Sequence, residues 1–274
     1  VQQSKIKKKP LAEEEKKLTQ KTSNIDFGNK KVLVVDDEPA QLALTLEFLK
    51  SHNLEFDTAE NGKKALALLD ENRYDLILTD IQMPIMDGFQ LMNSIKKDEN
   101  LYKTPVIALS GRTDMKDEVY TLTGFTAKLT KPFKPKDLLF KISEVFNIEP
   151  GTEEKAIVPK DDFVPQQNEF YNLEDIYMFS GEDKEAMYII IKAFLESSEE
   201  NIEKIRFHKN EGNYEAIGQI AHKMLPMLKQ MKITPVIPVL ERLEKKAEVS
   251  DIEIDQLIQQ LQRILQELES EVTV

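Results

Sequence analysis

The sequence predicts a doubly wound α/β domain with a five-stranded parallel sheet, followed by an all-α four-helix bundle. Three observations carry that expectation. From Lys31 to Phe146, short apolar runs alternate with helical stretches, the pattern of strand-helix-strand units. Glu149-Pro150-Gly151-Thr152 stops the alternation, and Pro159 and Pro165 keep the following stretch irregular. Beyond about residue 170 the apolar spacing is helical throughout. The 274 residues accommodate two such domains at roughly 100 to 200 residues each.

Taken in order, residues 1–29 read as a connector. The first 25 carry seven basic and three acidic residues, with the Lys, Glu and Gln content of a helical or disordered tether. The chain begins with Val1 and not Met, which suggests a piece of something longer. Residues 30–148 form the α/β domain, with strands expected at 32–35, 54–59, 75–79, 105–110 and 124–130. Pro39 can open the first helix, Asn61-Gly62 the second, Asp87-Gly88 the third and Pro135 the last, which runs to Phe146. The weakest helical signal is the fourth, near Met115 to Leu122. Residues 149–169 read as a second linker, and residues 170–274 as the bundle. Its apolar stripes are Met187 to Ile205, Ile217 to Met231, Val236 to Ala247 and Leu257 to Leu268.

Composition narrows the function. A net charge of -12 argues against a nucleic-acid partner, which calls for a basic face. No apolar run approaches the roughly 20 residues of a membrane span. With no Cys, disulfides, thiolate metal sites and Cys nucleophiles are excluded, and the three His leave few imidazoles for chemistry.

In an open parallel sheet, ligands bind beyond the carboxyl ends of the strands at the switch in strand order. Asp36, Asp37 and Glu38 follow the first strand and Asp80 follows the third, so those acids share a cleft if the two strands are neighbours. Like charges so placed need a cation, and a hard divalent ion with oxygen ligands, Mg²⁺, suits them. Ser110 ends the fourth strand and Lys131 follows the fifth. Carboxylates, a hydroxyl and an ammonium aimed at one point suit an aspartyl phosphate.

The segments VLVVDDEP, LTDIQMPIMDG, ALS and LTKPF together resemble the response-regulator receiver family, over about residues 30 to 148. That resemblance implies a flavodoxin-like strand order and phosphorylation at Asp80. It implies Mg²⁺ held by Asp37, Asp80 and the Gln82 carbonyl, with Asp36 acting through water. Ser110 and Lys131 would sense and stabilise the phosphoryl group. Two positions depart from the family pattern: Gly111 stands where a small Ala is usual, and Lys128 stands where an aromatic switch residue is common. The second departure suits a receiver that passes phosphate on.

On the helix containing Ile217 to Met231, the core residues cluster in one direction at about 100° per residue, and His222 lies about 140° from it. His222 is therefore expected to face solvent, with Gly218 one turn before it clearing space for a partner. An exposed His on a bundle tethered to a receiver resembles the histidine phosphotransfer (HPt) family, over about residues 170 to 272. Leu225 and Pro226 stand where that family often has Lys and Gly; Pro226 is expected to bend the helix, and Lys223 or Lys229 to supply the ammonium. His52 and His208 read as cations at helix C-termini. Met224, Met227 and Met231 read as core.

Together these resemblances imply the C-terminal relay portion of a hybrid sensor histidine kinase, without the kinase core. The resemblance implies a cytoplasmic fragment of a membrane-anchored parent that can dimerise. The kinase core of that parent would phosphorylate Asp80, His222 would take the phosphoryl group, and a separate response regulator would receive it. The alternative is a non-phosphorylatable pseudo-HPt bundle that serves as a docking or dimerisation module.

Overall fold

The computed structural model describes residue 25, residues 27–111, 116–148 and 163–272. The first and second expected connectors therefore fall largely outside the described residues, as does the start of the fourth expected helix.

Five strands, β1 (Lys31–Val35), β2 (Glu55–Ala59), β3 (Leu76–Asp80), β4 (Val106–Ser110) and β5 (Ala127–Thr130), form one parallel sheet in the order β2-β1-β3-β4-β5. Five helices connect and follow them: α1 (Pro39–Ser51), α2 (Gly62–Glu71), α3 (Gly88–Lys97), α4 (Asp117–Thr123) and α5 (Pro135–Phe146). The punctuation works as local chemistry demands. Asn61 accepts a hydrogen bond from the Lys64 amide to start α2, and Asp87 forms a capping box with Gln90 at α3. Pro39 and Pro135 each occupy the first turn of their helices. The fifth strand begins later than its apolar run suggests, because Gly124 takes the left-handed conformation that ends α4 and Phe125 is buried as the chain turns.

Both faces of the sheet are covered, as a parallel sheet requires. Leu33, Val35, Ile77 and Ala108 pack on one side with Leu69, Leu91, Ile95 and Tyr120. On the other, Val32, Val34, Leu76, Leu78, Ile107 and Leu109 pack with Leu44, Phe48, Leu138 and Ile142. Ile25 and Phe27, which the sequence assigns to the connector, are buried in this second layer, with the Phe27 ring edge-on to Phe146.

The second layer continues without a break into the C-terminal helices. These are α6 (Glu174–Phe179), α7 (Lys184–Asn210), α8 (Tyr214–Gln230), α9 (Ile237–Glu244) and α10 (Asp251–Val272), with a 3-10 turn at Thr234–Val236. Helices α7 to α10 pack in a closed ring, α7 on α8, α8 on α9, α9 on α10 and α10 back on α7. Met224, Met227 and Met231 are all buried inside it.

The α/β domain and the helical unit touch along α1. Phe179, fully buried, sits edge-on to Phe48 of α1 at 6.0 Å and to Phe133 at 5.9 Å. Gly181, at a φ of 69°, comes so close to α1 that a Cβ there would lie 2.6 Å from that of Ser51. Burying one Phe contributes about 1.5 to 3 kcal/mol, so this aromatic contact alone is a substantial bond between the two parts. No helix among the described residues is long and apolar enough to cross a membrane.

Candidate functional site

Because β1 lies beside β3, the acids that follow them meet at the carboxyl edge of the sheet. Asp36 is locked in place. Its amide donates to the Ala59 carbonyl at 3.1 Å; its carboxylate accepts from the Glu38 amide at 2.9 Å and from Lys131 Nζ at 2.8 Å. Asp80 accepts from the Ile81 amide at 2.7 Å and has Lys131 Nζ at 3.5 Å. Gly88 is required beside it, since a Cβ at that position would stand 2.4 Å from the Asp80 carbonyl oxygen.

The electrostatics follow from crowding. Burial pushes the Asp80 carboxyl up to about 6; the Lys131 ammonium works against that rise, and Asp36 and Asp37 add to it. Burial acts against the Lys131 ammonium as well, but Asp36 and Asp80 outweigh it and hold its pKa above the usual lysine range. Glu38 is also raised by burial, with a hydrogen bond from Ser197 opposing and Asp36 reinforcing. Ser197 belongs to α7, so the helical unit already bears on this carboxyl.

Carboxylate oxygens of Asp36, Asp37 and Asp80 lie within 4.8 Å of one another. That is an all-oxygen, anionic donor set of the kind a hard divalent cation takes, and Mg²⁺ fits it. Gln82 lies in the exposed loop two residues beyond Asp80.

Ser110 is fully buried at the end of β4, and its hydroxyl lies 2.8 Å from the hydroxyl of Tyr120. Sequence reasoning missed Tyr120. The only signal was an aromatic in the weakest helix, ten residues after Ser110. Lys128, the unusual residue on β5, holds its ammonium 4.7 Å above the Tyr120 ring and 3.2 Å from Asp117. An aromatic therefore does reach Ser110, but from α4 and not from β5.

The largest correction concerns His222. Its side chain is not solvent-facing but only 19% exposed. The helical wheel correctly turned it away from the core of its own unit, but that outer face of α8 is the one the α/β domain covers. A Cβ on Gly111 would lie 3.2 Å from His222 Cε1 and 3.6 Å from Nε2, so the glycine beside Ser110 leaves the imidazole room that a methyl group would narrow. On the other edge of the ring, Nδ1 is 2.5 Å from Glu244 Oε1.

The next residue, Lys223, pairs directly with Asp37 across the same boundary. Lys229 stays within the helical unit, 2.6 Å from Glu241, so of the two lysines only Lys223 reaches the cleft. Gly218 also departs from expectation. A Cβ there would meet the Leu243 carbonyl oxygen at 2.6 Å, so it makes room for α9 and not for a partner. Helix α8 continues through Pro226 to Gln230, with Leu225 buried.

Of the other two histidines, His52 departs from expectation and His208 keeps its expected place at a helix C-terminus. His52 is no cation: burial lowers its pKa, its Nδ1 is 2.9 Å from the Phe48 carbonyl oxygen, and its ring packs 4.3 Å from that of Phe48. His208 lies edge-on to Phe207 in the last turn of α7.

Comparisons with known proteins bear on the α/β domain. Residues 32–143 match the family described as response regulator receiver domain. The heme response regulator HssR of Staphylococcus aureus is 39% identical over 125 residues, which is 44% of this chain and 54% of HssR. The chain thus spans about half the length of the curated relatives it matches. Among solved structures, the chemotaxis response regulator CheY4 of Vibrio cholerae is 32% identical, with a TM-score of 0.41 over 43% of this chain and 99% of that one. The receiver domain of sensor histidine kinase PA1611 from Pseudomonas aeruginosa, solved with a magnesium ion in its active site cleft, is 26% identical. Its TM-score is 0.41, over 44% of this chain and 99% of that one.

Proposed function

Residues 32–143 are a response regulator receiver domain of a two-component system, and from that premise we propose that the chain is an internal phosphorelay. Asp80 accepts a phosphoryl group from an upstream histidine kinase core and passes it to His222 of an HPt-like helical unit, from which a separate response regulator takes it. The observation that carries the proposal is the seating of the His222 imidazole against Gly111, next to Ser110, while Lys223 grips Asp37.

The residues divide the work as follows. Asp80, held by the Ile81 amide, is the nucleophile that receives the group. Lys131, buried and charged, offsets phosphoryl charge. Ser110 supplies a hydroxyl at the end of β4. Mg²⁺, held by Asp36, Asp37, Asp80 and the Gln82 carbonyl, would neutralise phosphoryl oxygens when bound. Docking supplies the rest, because phosphoryl transfer depends chiefly on positioning.

The test is a label chase. The full chain is phosphorylated on Asp80 from a labelled small acyl phosphate with Mg²⁺, then divided between acid and base. An acyl phosphate is lost in base, whereas phosphohistidine survives it. The wild type should accumulate base-stable label that His222→Gln lacks. Identical, wholly base-labile label in both chains would leave the pseudo-HPt docking module as the reading.

A further inference from the structure

We propose that Glu244 is a positioning residue for His222: its carboxylate fixes the imidazole in the Nδ1–H tautomer and leaves the Nε2 lone pair directed at the receiver cleft. The inference rests on the relay reading above. It starts from the 2.5 Å contact between Nδ1 and Glu244 Oε1. A carboxylate only accepts, so the proton of that bond sits on Nδ1, and a neutral ring then has its lone pair on Nε2. The Nε2 and Cε1 edge is the one that lies against Gly111.

The fold is arranged to deliver this carboxylate. Glu244 is the last residue of α9, and it reaches His222 because the end of α9 lies on α8 one turn before the histidine, over Gly218. Any side chain at 218 would strike the Leu243 carbonyl and push Glu244 away. Lys229 with Glu241, and Arg242 with Glu253, tie α9 to α8 and α10 on either side. Glu244 and His222 are both part-buried, at 28% and 19% exposed, so water competes only partly for the bond.

Transfer then needs no proton movement. The Nε2 lone pair attacks phosphorus, the N–P bond forms as the P–O bond to Asp80 breaks, and that electron pair leaves with the Asp80 carboxylate. The phosphorylated ring keeps its Nδ1 proton and becomes cationic, beside the Glu244 carboxylate. The same carboxylate therefore orients the ring beforehand and stabilises the charge that develops on it.

The experiment uses the full chain with ¹⁵N-labelled imidazoles, comparing wild type, Glu244→Ala, Glu244→Gln and, as a control, exchange of the exposed Glu248→Gln. Ring ¹⁵N shifts of neutral His222 report the tautomer, and the label chase reports the transfer rate. The wild type and the control should show the Nδ1–H form. Glu244→Ala should revert towards the Nε2–H form and lose about 10- to 100-fold in the rate of transfer to His222, with phosphorylation of Asp80 itself unchanged. Glu244→Gln keeps the shape and an acceptor, so it should keep the tautomer and lose less rate. An Nε2–H ring in the wild type overturns the proposal, as does a Glu244→Ala chain with unaltered tautomer and rate. A wild-type chain that never labels His222 overturns the relay reading instead.

Discussion

Asp80 stays ionised at neutral pH against the pull of its surroundings, since burial lifts its carboxyl from 3.8 to about 6. At 1.36 kcal/mol per pH unit, that lift corresponds to a folding penalty of up to about 3 kcal/mol when the group is charged. The penalty is full above the folded value and absent below the unfolded one. Asp80→Asn should therefore raise the urea midpoint at about pH 8 and leave it nearly unchanged at about pH 3.5; an equal gain at both would show that charge burial is not the cause. The acids, Ser110 and Lys131 were legible residue by residue, because strand-end position and chemical type together define them. Gly111, Gly218 and Glu244 were not. A glycine in a sequence shows that a side chain is missing, not which neighbour occupies the space. Glu244 stands 22 residues from His222 on another helix, beyond the reach of local periodicity.

At the scale of elements, caps and prolines placed the helices well, since Asn61, Asp87, Pro39 and Pro135 act on their own first turns. The fourth helix read poorly because α4 is short, with seven residues and Tyr120 as its one buried side chain. Helix α8 shows the opposite difficulty. Its buried stripe was clear from spacing, but its outer face is also covered, and a hydrophobic period cannot reveal a polar contact surface. Lys223 marks that surface, and its ammonium holds the carboxylate that a divalent cation would also use. Lys223→Gln should accordingly raise the affinity of the cleft for Mg²⁺ roughly fivefold, by about 1 kcal/mol. The chain has no Trp, so amide shifts of β1 and β3 residues during a Mg²⁺ titration are the suitable readout. Unchanged or weaker binding would mean that Lys223 and the ion do not compete.

The whole molecule joins the receiver cleft and the helix that carries His222 through a continuous apolar layer built on Phe48, Phe133 and Phe179. The charge pattern fits such a joint: the helical unit is acidic overall, yet it presents Lys223 where the receiver presents Asp37. On the proposed relay, docking of this kind would make transfer a property of one chain. The decisive measurement is the rate at which label moves from Asp80 to His222 over a wide range of protein concentration, in the wild type and in Gly111→Ala. The rate in the wild type should be independent of concentration and should fall in Gly111→Ala, whose added methyl would crowd His222 at 3.2 Å. A rate that climbs with concentration, or one that Gly111→Ala leaves untouched, would contradict transfer through this interface.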